Sequence, residues 1–303
     1  MIRTLVVSAT LLLPGLATAQ DLEIQPVTDG VWAIVGEKQQ RSPENLANNA
    51  TFGLIATEDG AVLVDPGGSW KGAEALHAAI RTVTDQPVKY VVNTGGQDHR
   101  WLGNGYWQAQ GAVVIASEDA VADHQNRGSI QMTGLAQFLG AELEGTEPAY
   151  ASVTFDDTYT LDLGGMTFEI VHPGAAHTPG DSFVWVPQRG TVFTGDIVYV
   201  ERILGVGEQS SIAEWPETFK AMEATGATHL VPGHGHATTL DQARADTYDY
   251  LMNLRGKIGA LLDEGGDIMD APAVDQSAFS YLEQFDSLAG RNAQTAYQQM
   301  EWE

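Results

Sequence analysis

The order in which strand and helix signals follow one another constrains this chain more than any single residue does. The stretches "GVWAIVG" and "TFGLIATEDGAVLVDPGG" read as strands joined by tight turns, with Asp59-Gly60 between the last two. "SWKGAEALHAAIRTV" then carries Ala73, Leu76, Ile80 and Val83 at helical spacing. "VKYVVNT", a short helix near "LGNGYWQAQ", and "AVVIAS" make a strand-helix-strand unit, the basis of a parallel sheet. Residues 118–140 read as a helix, after which the order starts again. "SVTFDDTYTLDLGGMTFEIVHPG" and "SFVWVPQRGTVFTGD" are β-rich, "SIAEWPETFKAMEATG" is helical, and a short strand precedes "PGHG". A long helix is expected over about 239–262 and a last one over 277–300, with Phe279, Leu282, Phe285 and Leu288 on one face. Two similar halves facing each other predict an α/β fold, a four-layer αββα sandwich rather than two separable domains.

Bulk properties narrow the possible partners. The 303 residues are 43% hydrophobic, enough for a substantial core. A net charge of -25 repels phosphate backbones and anionic lipid, so nucleic acid and membrane are not expected partners. The opening "MIRTLVVSATLLLPGLATAQ" has one Arg, an apolar run from Leu5 to Leu13 and the small residues Ala17-Thr18-Ala19. It is read as a signal peptide over 1–19 that exports the chain to a bacterial periplasm. The main domain is then expected over 20–265, with a helical extension over 266–303 packed on it. The sequence has no cysteine, so a zinc ion would have to be held by His and carboxylate.

Five short pieces at strand ends carry the chemistry: "VDPGG" with Asp65, "GGQDH" with Asp98 and His99, "HPGAAHTPGD" with His177, "FTGD" with Asp196, and "VPGHGH" with His234. In order and spacing they resemble the metallo-β-lactamase superfamily of metal-dependent hydrolases, from about Val31 to the helix after His236. The resemblance implies an αββα sandwich with a metal site at one edge, where water on zinc attacks a carbonyl. "HPGAAHTPGDSFVWVPQRGTVFTGD" is similar to an exported branch found beside quinoprotein or sulfur-oxidation systems, which implies a periplasmic redox partner.

One motif departs from the family. Where the family has His-x-His-x-Asp-His, this chain has Thr94, Gly96, Asp98 and His99, so of that metal pocket only His177 remains. Asp98, His99 and His234 match the other pocket, and Asp196 matches the carboxylate that bridges two metals in many members. The resemblance therefore implies one zinc ion rather than two, with iron a lesser alternative. Two imidazoles and a carboxylate leave a position open for water, which is sufficient for a catalytic zinc. Gly95 and Gly96 are expected to leave a gap that the Gln97 amide enters to polarise a substrate carbonyl. Asp98, Asp196 and Gln97 are thus the expected catalytic residues.

Each candidate also has a plainer reading. Asp98-His99 could be a helix cap with a neighbouring histidine, His177 a turn residue, and Asp196 the close of a turn. Asp65 is expected to orient ligands rather than to be one. His172, five residues before His177, is expected to line the pocket, and His124 with Arg127 faces either the substrate or solvent. His77, His229 and His236 read as structural or rim residues, and most of the aromatics Trp101, Tyr106, Trp107, Trp185 and Tyr199 as core. The expected function is a periplasmic one-zinc hydrolase acting on a small-molecule ester, lactone, thioester or amide. The alternative is a retired enzyme that binds without turnover.

Overall fold

The computed structural model describes residues 22–303; the expected signal peptide over 1–19 lies outside them. The first half begins with four antiparallel strands, β1 (Glu23–Thr28), β2 (Val31–Val35), β3 (Thr51–Thr57) and β4 (Gly60–Val64). The sheet then turns parallel through β5 (Val88–Val92), β6 (Val113–Ser117) and β7 (Val153–Phe155). Parallel neighbours need a crossover. Each is a helix: α1 (Trp70–Ile80), α2 (Asn104–Ala109) and α3 (Glu118–Leu139). Ser69 and Ser117 start α1 and α3 by accepting the amide N–H groups of Gly72 and Ala120.

The second half is a five-stranded sheet in the order β12-β11-β10-β9-β8. It comprises β8 (Thr158–Leu163), β9 (Met166–Val171), β10 (Phe183–Val186), β11 (Thr191–Phe193) and β12 (His229–Val231). β11 and β12 are parallel, and the helix α4 (Trp215–Glu223) lies in the connection between them. The long helix expected at 239–262 is three joined segments, α5 (Leu240–Ala243), a π-helical turn (Arg244–Tyr248) and α6 (Asp249–Asp263). The last helix, α7, spans Phe285–Met300 and not 277–300. Gln284 precedes it in the left-handed region with φ 64, and Ser277–Phe279 form a separate 3-10 turn, so the apolar periodicity there spans two elements.

Three apolar clusters separate four layers. Val31, Val62, Val92, Phe168, Val184 and Phe193 meet between the sheets. Leu54, Leu63 and Val91 face Leu76, Ile80 and Trp107 on the helices of the first half. On the other outer face Val192 and Leu230 join a cluster with Phe219, Tyr250, Leu254, Leu288 and Ala293. The alternation in β9, buried at Met166, Phe168 and Ile170 and less so between them, sends every second side chain into the inter-sheet core. The two sheets meet at one edge: the Thr51 amide donates to the Gly233 carbonyl at 2.7 Å, and its hydroxyl to the Gly235 carbonyl at 2.6 Å. That edge receives the carboxyl ends of β4, β5, β11 and β12 together.

Candidate metal centre

Four of the five strand-end pieces converge on one buried arginine. Arg100, in the single 3-10 turn Asp98–Arg100 after β5, donates to the Asp65 carboxylate at 2.8 Å and to Asp196 Oδ1 at 2.7 Å. It also donates to the carbonyls of Thr51 at 3.1 Å and Gly233 at 2.8 Å. Asp65 itself accepts the Thr94 amide at 2.8 Å and the Thr94 hydroxyl, so it positions the loop after β5 and, through Arg100, Asp196. Its φ of 67 is a left-handed conformation held in place by these bonds. Nothing in the sequence marked Arg100 as the hub. Its only sign was a position next to a motif histidine, and the four groups it joins are far apart in the chain.

Around Asp196 stand the two imidazoles expected from the sequence. His99 Nε2 lies 3.2 Å from Asp196 Oδ2, and His234 Nε2 lies 3.2 Å from Asp196 Oδ1. One ligand atom from each of His99, Asp196 and His234 lies within 4.8 Å of the others, and all three residues are buried. Burial opposes the charge on Asp196, yet the Arg100 guanidinium and His99 hold its carboxyl well below the usual range, so it is ionised. Burial pushes His234 well below the ordinary histidine value, which keeps its imidazole neutral as a ligand requires. His99 Nδ1 lies 3.3 Å from Asp98 Oδ1, which could accept a hydrogen bond from it, and 3.3 Å from Arg41 Nη2, which could donate one to it, so these two contacts do not fix its tautomer. Arg202 Nη1 approaches His234 Nδ1 at 3.4 Å, too long to fix the tautomer. Two imidazoles and an ionised carboxylate fit a single metal ion in number and kind of donor.

Asp98 does not join this group. Its carboxylate is held by Arg41, whose Nε and Nη2 both donate to it. Burial alone would raise its pKa, but the Arg41 guanidinium and the His99 contacts hold it well below the carboxylate range. The donor set is thus His99, Asp196 and His234 in place of the expected Asp98, His99 and His234. An arginine from a loop remote in sequence decided the difference. His177 is also outside the three. Its Nδ1 donates to the Gly205 carbonyl at 2.9 Å, and its ring packs near Tyr199 and Trp215.

The expected gap at Gly95 and Gly96 is filled. A β-carbon on Gly95 would overlap Asp181 Oδ1, and one on Gly96 would overlap Asp123 Oδ2. Asp181 accepts the Thr178 amide at 2.8 Å and the Thr178 hydroxyl, and burial pushes its pKa up to about 8. Asp123 is paired with Arg127, which also donates to the Gly96 carbonyl at 3.2 Å. Gln97 therefore does not enter a vacancy: its amide donates to Asp98 Oδ1 at 3.2 Å on the wall of the cleft.

Two other candidates lie away from the cleft. His124 is fully buried, stacked on Trp101 at 4.5 Å between centroids, with Nε2 donating to the Gly95 carbonyl at 3.0 Å. Neither a substrate-facing nor a solvated reading holds for it, because α3 turns this face onto the loop after β5. His172 Nδ1 donates to the Asp181 carbonyl at 2.7 Å, and the residue does not line the cleft. Among the aromatics Trp101 and Trp107 are core, and Tyr199 walls the cleft while stacking on His234 at 4.4 Å.

The cleft over His99 and His234 spans about 550 Å³ including its open mouth, and Arg41, Gln97, His177, Tyr199, Arg202 and Arg291 are among the residues lining it. Comparison with solved structures finds the same fold elsewhere. A metallo-beta-lactamase from Pontibacter korlensis is 24% identical with a TM-score of 0.62, covering 77% of this chain and 100% of that one. The DIM-1 metallo-beta-lactamase is 20% identical with a TM-score of 0.58, covering 75% of this chain and 95% of that one. The stereoselective inverting sec-alkylsulfatase Pisa1 from Pseudomonas sp. is 17% identical with a TM-score of 0.68, covering 91% of this chain and 50% of that one. The sequence profile of one family matches residues 47–234, more than half of the chain. This chain belongs to the metallo-beta-lactamase superfamily, whose members are mostly metal-dependent hydrolases.

Proposed function

We propose that this protein is a hydrolase that holds one zinc ion at His99, Asp196 and His234 and acts on an ester, lactone, thioester or amide after export to the periplasm. The observation that carries the reading is the asymmetry of the edge. One corner gathers three metal donors around an ionised carboxylate, and the other is closed by Asp181 and by the Asp123–Arg127 pair. The placement in the periplasm rests on the N-terminal sequence alone.

A zinc ion held by His99, Asp196 and His234 would supply Lewis acidity and a water acidified to a pKa of about 7. The chain's own residues do the rest. Asp98, kept ionised by Arg41, stands 3.3 Å from His99 Nδ1 and, together with Arg41, orients that imidazole with Nε2 toward Asp196. With Nδ1 committed to the Gly205 carbonyl, His177 presents Nε2 as an acceptor at the cleft. Burial lowers its pKa to about 4, so at neutral pH it accepts a hydrogen bond from water or substrate without carrying charge. Gln97 and Tyr199 add side-chain donors on the same wall.

The test is metal content and turnover together. Protein purified without chelators should carry about one zinc per chain and hydrolyse a member of an ester, lactone, thioester and lactam panel. Two tightly held equivalents would refute the single-metal corner. Zinc without turnover across the panel would place the protein with the retired enzymes.

A further inference from the structure

The cleft has a charge opposite to that of the rest of the molecule. The chain carries 40 acidic against 15 basic residues, yet no Asp or Glu lines the cleft and three arginines do. Arg41 is neutralised by Asp98. Arg202 and Arg291 are not: among the described residues neither has a carboxylate within ion-pair distance, although 19 such pairs exist elsewhere. Arg202 is the more telling, being 5% exposed with its Nε buried and unpartnered. Its nearest polar contact is His234 Nδ1 at 3.4 Å, and its guanidinium carbon lies 5.9 Å from the Tyr199 ring centre. Asp196 and Glu283 act on it only at a distance. A buried guanidinium without a counter-charge is costly to the fold unless something bound supplies one.

Arg291 reaches the cleft from α7, one turn beyond Leu288, which also lines it. Arg41 and Arg291 both fall outside the residues that match the family, 47–234. Neutral donors complete the wall: the Tyr199 hydroxyl, kept protonated by burial beside Asp196, and the amides of Gln40, Gln97 and Gln209. A guanidinium fork with hydroxyl and amide donors around it matches a planar or tetrahedral oxyanion. The negative surface also works against adventitious anions everywhere except here.

We propose that Arg202 and Arg291 form a receptor for the oxyanion group of a small organic substrate, a carboxylate or a sulfate, beside the metal donors. The word substrate rests on the hydrolase reading; the anion site does not. The experiment is calorimetric titration of the full chain as purified, at low ionic strength and without chloride, with sulfate, acetate and the uncharged acetamide. The titrations are then repeated with added zinc.

One saturable oxyanion site is expected, with no binding of acetamide. Arg202→Met should weaken it about tenfold, as loss of a charge-assisted pair does, and exposed Arg291→Met several-fold. Tighter sulfate identifies a sulfate-type group and tighter acetate a carboxylate, each in support. Absence of saturable binding overturns the proposal. So does affinity unchanged in both variants, or binding that requires zinc and ignores the arginines. Should Arg202→Met fail to fold by circular dichroism, Arg291→Met decides alone. Because the readout is anion binding without turnover, an inactive or metal-poor protein leaves this result interpretable.

Discussion

The two corners of the sheet edge use the same loop after β5 to opposite ends. At His99 the loop turns to Asp196 and His234, and the two imidazoles line the cleft with the Asp196 carboxylate between them. At Gly95 and Gly96, a few residues earlier, it lies against Asp181, Asp123 and Arg127 with no room for a side chain. Both corners are rich in carboxylates, so charge alone does not separate them. The difference is in how each carboxylate is satisfied. Asp196 is ionised by Arg100 and keeps its oxygens beside two imidazoles, whereas Asp181 and Asp123 are consumed by Thr178 and Arg127. The first corner gathers donors that could hold a metal ion, and the second does not.

The largest effect that could break this contrast is on metal affinity. His234→Ala should lower zinc affinity at least ~100-fold, since loss of a supporting contact alone costs up to that much. His177→Ala should leave zinc content near the wild-type value, because His177 lies outside the group formed by His99, Asp196 and His234. Equal loss in the two variants, measured by zinc content after dialysis, would place His177 among the ligands and dissolve the contrast.

A second test addresses the closed corner. Gly96→His restores a residue of the family motif but drives its side chain into the Asp123–Arg127 pair. Overpacking of this kind should cost about 1–3 kcal/mol in urea unfolding, with no second zinc gained. A second equivalent bound at undiminished stability would mean the corner is open after all.

A last expected effect depends on pH. Burial holds the Asp181 pKa at about 8 in the fold, against about 3.9 in the unfolded chain. Between those values the folded state keeps a proton that the unfolded state has released. The contribution of this group to stability is therefore full below about pH 4 and is lost as pH rises through about 8. Asp181→Asn imitates the neutral carboxyl, so its stability relative to the wild type should improve between about pH 5 and about pH 9. A difference that stays constant across that range would show that Asp181 is ionised in the fold.

Much of this was legible in the residues. The order of strand and helix signals specified the layered sandwich, because periodicity and turn chemistry are local and each half repeats the pattern. The strand-end pieces marked His99, Asp196 and His234, since glycine-flanked turns at the carboxyl ends of strands give few other places for such side chains. The C-terminal helix was misread at its start for an equally local reason: one apolar face continued through a left-handed Gln284 that periodicity does not register.

What the sequence by itself determined was therefore the set of chemical groups at one edge and the fold that brings them there. Only the tertiary structure decided which of them are free to act. Arg41 takes Asp98 from the ligand set, Arg100 joins Asp65 to Asp196, and Asp123 and Asp181 close the space beside the two glycines. Each of these pairings spans a separation in the chain at which local pattern carries no information. Each is decided by which charges are buried near one another, where an ionised group must find a partner or go without.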